Sequence, residues 1–193
     1  MTAYTINLAP ILKMTDEQFY KLCRANPDIK FERNAKEELL IMPPTGGETG
    51  KFNAELSADF VIWNRQTKLG VVFDSSTCFK LPNGADRSPD ISWIRQDRWD
   101  RLTSKQKEKF PPICPDFILE LRSPTDSLET LQAKMREYIE NGAQLGWLIN
   151  RHDRQVEIYH PERAVEVLQT PADVFGDPVL PGFALNLQWI WRS

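Results

Sequence analysis

The sequence predicts a mixed α/β domain in which the strands of one sheet are flanked by two long amphipathic helices. Apolar residues recur at helical spacing in two stretches, and short apolar runs bounded by turn residues lie around them. The chain has 193 residues, of which 41% are hydrophobic and 26% are charged. This is ordinary globular composition and suffices for one sizeable core. We therefore expect a single domain over residues 1–193.

The first half of the chain contains two predicted helices and two predicted strands. Thr15 and Gln18 form a capping box at the start of the first helix. Residues 38–42 and 70–79 have the apolar character of strands and are followed by proline-containing turns. Between them, residues 48–68 predict a long helix whose apolar stripe consists of Phe52, Leu56, Phe60 and Trp63.

The second half predicts strands at Asp90–Ile94 and Phe117–Leu121, followed by a helix over Ser127–Asn141. The apolar stripe of this helix consists of Leu128, Leu131, Met135, Tyr138 and Ile139. Three later strands extend the same mixed sheet, at Gly146–Ile149, Val156–His160 and Val165–Gln169. In the apolar tail, Trp189 and Trp191 alternate, so an exposed aromatic edge could serve a homodimer interface. Packing within the monomer is the commoner fate of such a tail.

One strand contains an acid within an otherwise apolar run. Period-two alternation over 117–121 sends Phe117, Leu119 and Leu121 to one face and Ile118 and Glu120 to the other. Burying an isolated carboxylate is costly, so Glu120 is expected to have a cation, a metal ion or hydrogen-bond donors as neighbours. On Glu120 alone, an exposed strand end or one structural ion pair with Arg122 is the more common explanation.

Two further residues favour a functional site. Asp90 stands at the head of a second apolar strand, where two strands of one sheet could bring both acids together. Lys134 lies about 40° outside the edge of the apolar stripe of its helix, one turn before Tyr138. A long side chain at that position can lie along packed surface and direct its ammonium group inward.

The motifs begin with Pro-Asp, and then comes an acid in a buried strand that is followed by Ser-Pro. Lys-x-x-x-Tyr and Asn-Gly come next, on a helix, and an apolar strand comes last. This order resembles the Uma-two family of restriction-endonuclease-like proteins, part of the PD-(D/E)XK nuclease superfamily, over about residues 15–161. Asp90 and Glu120 are similar to the two superfamily acids. Arg122 stands where many members carry lysine, and Lys134 is similar to a lysine that this family carries on the helix. The resemblance leaves open whether Arg122 or Lys134 supplies the catalytic cation.

The chemistry of these residues agrees with the metal-dependent phosphodiester hydrolysis that the resemblance implies. Asp90, Glu120 and the backbone carbonyl of Leu121 would offer hard oxygen ligands suited to Mg²⁺ or Mn²⁺. Lys134 would orient the attacking water or stabilise the developing charge, and Arg122 could clamp a phosphate. Zinc is not favoured, because the two histidines and three cysteines have no ligand spacing.

A third acid is expected from the long helix that begins near Glu48, because related nucleases often use an acid from an early helix. Glu48, Glu55 and Asp59 fall on or beside its apolar face. Glu48 ranks first, since the preceding Thr-Gly-Gly loop would place it at a helix start. It is at least as common for such acids to flank the core as solvated charges.

Charge distribution gives a mixed indication about nucleic acid. The formal net charge is −3, whereas nucleic-acid binders usually have a basic surface. Residues 95–110 contain six basic and three acidic residues, and this stretch could be a flap that faces phosphates. More often such a run is the solvated face of a helix, packed here through Trp99 and Leu102.

The sequence therefore predicts a restriction-endonuclease-like fold and a Mg²⁺-dependent endonuclease that acts on DNA. One alternative is a catalytically silent nucleic-acid-binding or regulatory module on the same fold, and a third possibility is hydrolysis of a different phosphoester. Three unpaired cysteines indicate a reducing compartment, and no apolar run reaches the length of a membrane span. We expect a cytoplasmic protein.

Overall fold

The computed structural model describes residues 4–8 and 11–192. The helices are Asp16–Ala25 (α1), Gly47–Thr67 (α2), Gln96–Asp100 (α3), Ser104–Glu108 (α4) and Leu128–Glu140 (α5). The strands are Tyr4–Ile6 (β1), Lys30–Arg33 (β2), Leu39–Met42 (β3), Gly70–Asp74 (β4), Phe79–Lys80 (β5), Asp86–Arg87 (β6), Ile91–Arg95 (β7), Phe117–Leu121 (β8), Leu145–Asn150 (β9), Gln155–Tyr159 (β10), Glu166–Gln169 (β11), Asp173–Phe175 (β12) and Ala184–Asn186 (β13).

The strands form two larger sheets and a hairpin. The first sheet has the order β1-β3-β2-β6-β5, and the second sheet has the order β11-β10-β9-β8-β7-β4. Strands β8 and β9 pair in parallel, whereas β7 pairs with β8 in antiparallel fashion, which makes the second sheet mixed. Strands β12 and β13 form the hairpin.

The prediction of one continuous sheet was wrong in two places. Strand β3 pairs with β1 and β2 in the first sheet and does not join the strands that carry Asp90 and Glu120. The strand predicted over 70–79 is interrupted, because the Asp74 carboxylate accepts hydrogen bonds from the backbone N–H and the hydroxyl of Ser76. This side-chain turn ends β4 in the second sheet and lets β5 enter the first sheet.

The two long helices pack on opposite faces of the second sheet, as their stripes predict. The stripe of α2 lies in one core cluster with Phe117, Leu119 and Leu121 of β8. Met135 and Tyr138 of α5 lie in another cluster with Ile118. Helix α5 lies so close to the sheet that a Cβ atom at Gly146 would stand 2.7 Å from the Met135 methyl group. The period-two alternation of β8 is therefore confirmed, with Glu120 on the side that faces α5.

The two faces of the first sheet have different roles. Register places Glu32 opposite Leu40 and Arg33 opposite Leu39, so neighbouring residues of β2 project to opposite sides. On one side Arg33 makes a buried ion pair with Asp86, 2.7 Å from Nε to Oδ2, near α1. The Glu32 side faces a cavity that is also bordered by α5 and the second sheet.

The remaining segments cover this core. The basic stretch 95–110 forms α3 and α4 and packs through partly buried Trp99 and Leu102, as the solvated-helix interpretation predicts. In the tail, Trp189 stacks on Phe52 with ring centroids 5.5 Å apart. Trp191 is buried and donates from Nε1 to the carbonyl of Pro171 at 2.7 Å. The tail thus packs within the monomer, and the homodimer stays a prediction.

Candidate active site

Glu120 lies in the middle of a buried polar cluster between β8 and α5. Glu120 is only 4% exposed. The Lys134 ammonium lies 2.8 Å from its Oε1, and the Tyr138 hydroxyl donates to the same oxygen at 3.2 Å. Both partners come from one face of α5, one turn apart, because residues i and i+4 of a helix are neighbours. The inward direction predicted for Lys134 is confirmed by this ion pair.

Asp90 closes the cluster from the strand next to β8. Strand β7 begins only at Ile91, so the backbone N–H of Leu121 donates to Asp90 Oδ2 at 2.8 Å. Asp90 Oδ1 accepts a longer bond of 3.3 Å from the Asn53 amide of α2. The Asp90 carboxylate is thereby held beside the residue that follows Glu120.

A third acid comes from the first sheet and was missed by the sequence analysis. Glu32 is 1% exposed, and its Oε1 lies 3.0 Å from the Lys134 ammonium. Its Oε2 accepts from Arg87 at 3.0 Å, and its Oε1 also accepts the Ser88 backbone N–H at 3.1 Å. Arg87 in turn pairs with Glu137 of α5 at 2.6 Å. The alternation of Phe31 with two charged residues in β2 was the available signal, but it did not indicate which charge faces the site.

The environment gives Glu120 an unusual affinity for a proton. Burial raises the pKa of Glu120 to about 7; the Lys134 charge opposes this rise, and the negative charges of Asp90 and Glu32 add to it. Burial likewise raises the pKa of Asp90, against the stabilising hydrogen bond from Leu121. Asp90 and Glu120 line the same cavity, and the negative charge of Asp90 adds to the cost of ionising Glu120.

Glu32 behaves in the opposite way. Although burial disfavours its charge, Lys134 and Arg87 hold the pKa of Glu32 at about 2. Burial opposes the charge of Lys134, but Glu120 and Glu32 together raise the pKa of the Lys134 ammonium. Lys134 therefore stays charged at neutral pH, Glu32 stays ionised, and Glu120 is the member of the cluster that titrates near neutrality.

The cluster borders a cavity of about 520 Å³ between the first sheet, β8 and α5. Its lining includes two basic side chains, those of Arg87 and Lys134. Against them stand five acidic side chains, those of Glu32, Asp90, Glu120, Asp126 and Glu137. Acidic side chains thus outnumber basic ones on the cavity wall, which favours the binding of cations.

Two other predicted site residues lie outside this cavity. The Arg122 guanidinium donates from Nη1 to Asn150 and Asp153, each at 3.2 Å, and so lies against the turn that follows β9. Glu48, in the first turn of α2, lines an adjoining cavity and accepts from Arg151 at 3.4 Å. Glu55 is exposed on α2. The contribution of α2 to the acidic cavity is therefore the Asn53 contact with Asp90.

The donor set fits a divalent metal ion of the magnesium type. Among the described residues, no group of three or more His, Cys, Asp and Glu side chains is arranged as a metal site. Mg²⁺, however, is often held by one or two carboxylates and completes its shell with waters and substrate phosphate. Within the described chain, Glu120 Oε2 accepts no hydrogen bond. The carbonyl and the N–H group of Leu121 point to the same edge of β8, and the N–H group faces Asp90.

Comparison with solved structures identifies the class of fold. A crystal structure described as "a putative nuclease belonging to DUF820" from Anabaena variabilis ATCC 29413 matches with a TM-score of 0.76 and 21% sequence identity. The match covers 93% of this chain and 98% of that chain. The architecture is the restriction-endonuclease-like fold that the sequence predicts.

Comparison with family models identifies the family. The model of Uma2, described as "Putative restriction endonuclease", matches residues 16–188. The chain belongs to the Uma2 family, as the motifs around Asp90, Glu120 and Lys134 indicate. No curated protein matches the chain. Across the described residues, no helix has both the length and the apolar character that crossing a membrane requires.

Proposed function

We propose that this chain is a Mg²⁺- or Mn²⁺-dependent endonuclease that hydrolyses DNA phosphodiester bonds. The observation that carries the proposal is the convergence of Asp90, Glu120 and Lys134 on one acidic cavity. The carboxylates of Glu32 and Glu120 both contact the Lys134 ammonium. A bound cation would offset the burial and the charges of Asp90 and Glu32 that together raise the pKa of Glu120. The family description and the fold of the Anabaena protein support the same reaction class.

Each residue of the cluster has a role that follows from its contacts. The Asp90 and Glu120 carboxylates and the Leu121 carbonyl would hold the ion, which would polarise a phosphoryl oxygen and lower the pKa of the attacking water. Tyr138 and Lys134 orient the Glu120 carboxylate from α5. The Lys134 ammonium also presents a fixed positive charge where the phosphate gains negative charge in the transition state. Glu32 contacts the same ammonium at 3.0 Å and so helps to fix its position.

A catalytically silent nucleic-acid-binding module is the second candidate. It is favoured by the two ion pairs of Lys134, because an ammonium that bridges Glu32 and Glu120 at 3.0 and 2.8 Å already has a structural role. In the proposed enzyme the same bridge sets the position of the ammonium before the substrate binds. The two candidates differ in whether Lys134 is needed for a chemical step.

A single-turnover nicking assay on supercoiled and single-stranded DNA, with Mg²⁺ and with Mn²⁺, tests the proposal. We expect cleavage by the unmodified protein and its loss in Lys134→Ala. Arg136→Ala is the matched control, because it removes an exposed cation from the same helix and should cleave normally. Absence of cleavage by the unmodified protein on every substrate, together with DNA binding, would favour the silent module.

A further inference from the structure

The two basic side chains that line the acidic cavity are both paired with carboxylates. Arg87 lies 3.0 Å from Glu32 and 2.6 Å from Glu137. Lys134 lies 3.0 Å from Glu32 and 2.8 Å from Glu120. Neither cation can leave its partners without exposing a buried charge to the loss of its counter-charge. A DNA phosphate that approaches the cavity therefore meets an excess of acidic groups and requires a further cation.

Lys30 stands on the face of the first sheet that borders the cavity. Side chains two positions apart in a strand share a face, and Glu32 of β2 and Asn34 just after it both line the cavity. Lys30 begins β2 two positions before Glu32 and pairs with Met42 of β3, another lining residue. Directly opposite residues of two antiparallel strands have Cβ atoms about 5 Å apart. Lys30 thus lies at the edge of the cavity, just outside its lining.

The positive charge of Lys30 acts on acids from both sheets. Burial raises the pKa of Asp90, and of the two lysines that oppose this rise, Lys30 has a larger effect than Lys134. Burial also disfavours the charge of Glu32, and Lys30 adds to the effect of Lys134 and Arg87, which lower the pKa of Glu32. Because the attraction between charges falls with distance, the Lys30 ammonium lies near both acids.

The ammonium group of Lys30 is unpaired in the described part of the chain. It makes neither an ion pair nor a hydrogen bond there, although the residue is partly buried. A lysine stem can lie along packed surface while its ammonium group faces solvent. Lys30 therefore offers beside Asp90 what Arg87 and Lys134 do not, a positive charge that no carboxylate of the protein contacts.

We propose that the Lys30 ammonium binds a backbone phosphate of the DNA strand at the edge of the acidic cavity, beside Asp90. The inference rests on the proposed function and names a residue that contacts its substrate. Lysine binds phosphate as a compact point charge, and such a contact positions the strand without reading a base. It also offsets part of the repulsion between the phosphate and the carboxylates of the site. Lys134, between its two carboxylates, keeps its role in the chemical step.

Lys30→Met tests this contact, because methionine keeps an unbranched side chain in the strand and removes the charge. In fluorescence anisotropy with Ca²⁺, we expect the Kd for duplex DNA to rise about tenfold at about 0.1 M salt. The slope of log K against log salt should fall by about 1. Lys30→Arg should retain most of the affinity, since it keeps a cation at this position. Lys36→Met is the matched control, because it removes an exposed lysine of the same hairpin and should change neither quantity.

Metal affinity gives a second readout, which a structural role of Lys30 would not produce. A cation near Asp90 repels an ion bound by the Asp90 and Glu120 carboxylates. Lys30→Met should therefore bind Mn²⁺ about threefold more tightly in calorimetric titration, while it binds DNA more weakly. Damage to the fold would weaken the binding of both.

The combined results separate this contact from the proposed function. If the unmodified protein cleaves DNA, and Lys30→Met has the same Kd and the same salt dependence, the contact is refuted and the proposed function stands. If Lys30→Met weakens DNA binding as expected but the unmodified protein cleaves no substrate, the contact stands and the endonuclease proposal fails. Weaker binding of both DNA and Mn²⁺ by Lys30→Met, together with lower stability in urea, would give Lys30 a structural role and overturn the inference.

Discussion

Glu120→Gln is the most informative single change, because it removes a charge that the fold disfavours while it keeps the shape of the side chain. The pKa of Glu120 is about 7 in the folded chain against an ordinary value of 4.5. A carboxyl whose pKa is raised by folding binds more protons in the folded state. Its contribution to stability is therefore lost as the pH rises from 4.5 through 7.

The size of the effect follows from that difference. At about 1.4 kcal/mol per pH unit, the ionised Glu120 lowers the free energy of unfolding by about 3 kcal/mol above pH 7. This figure is already net of the attraction of Lys134, which lies 2.8 Å from Glu120 and opposes the rise in pKa. We expect Glu120→Gln to be about 3 kcal/mol more stable than the unmodified protein at pH 8 and nearly equal to it at pH 4.5.

Urea denaturation at both pH values, in the presence of a chelator, measures this difference. Glu55→Gln is the matched control, because Glu55 is exposed on α2 and its replacement should change stability by less than about 0.5 kcal/mol. A difference between Glu120→Gln and the unmodified protein that is the same at pH 8 and pH 4.5 would refute the reasoning. So would a variant that is less stable at pH 8.

The same carboxyl couples metal affinity to pH. An ion that needs ionised Glu120 must displace one proton, so a pKa of about 7 predicts about tenfold tighter Mn²⁺ binding at pH 8 than at pH 6. Calorimetric titration should show this rise in the unmodified protein and weaker binding in Glu120→Gln. Equal Mn²⁺ affinity in the two proteins would remove Glu120 from the metal site.

Three further predictions concern the cation, the third acid and the core. Lys134→Ala should abolish single-turnover cleavage at saturating DNA, whereas Arg122→Ala should chiefly raise the Kd for DNA; full activity in Lys134→Ala would give the chemical role to Arg122. Glu32→Gln should cost about 3 kcal/mol at pH 7, because its pKa of about 2 stabilises the fold above pH 4.5, and urea unfolding at pH 3 should show a smaller loss. Phe60→Ala should cost about 3–5 kcal/mol in the same assay, against less than about 1 kcal/mol for Ile62→Ala at a half-exposed position of the same helix.

Local periodicity was sufficient for most of the elements and for three site residues. The apolar stripes of α2 and α5 and the alternation of β8 depend on neighbours a few residues apart, so they can be read from the chain directly. Because α5 follows β8 closely, its helical phase also indicated that Lys134 turns toward Glu120. The start of β7 placed Asp90 at the strand end, and the parallel pairing of β8 and β9 agrees with a helix between them.

The rest of the site depends on contacts between residues distant in the chain. Glu32 meets Lys134 across 102 positions, and this contact exists because β2 belongs to a separate sheet whose inner face covers the cavity. No local pattern distinguishes Glu32, which faces the cavity, from Arg33, which is buried on the other face of the sheet, since both sides of β2 carry charge. The early-helix acid was expected at Glu48, but α2 presents Asn53 to Asp90.

The sequence by itself determined the elements, the inward faces of the helices and the acid–acid–lysine set, because backbone periodicity and the cost of burying charge act locally. Only the tertiary structure decided that two sheets enclose the cavity, that Glu32 completes the charge cluster, and that Arg122 lies against the turn after β9. The physical reason is that strand pairing and ion pairing are selected by the global packing of the chain. Many pairings satisfy the same local pattern, and only the packed chain shows which charged side chains form buried ion pairs.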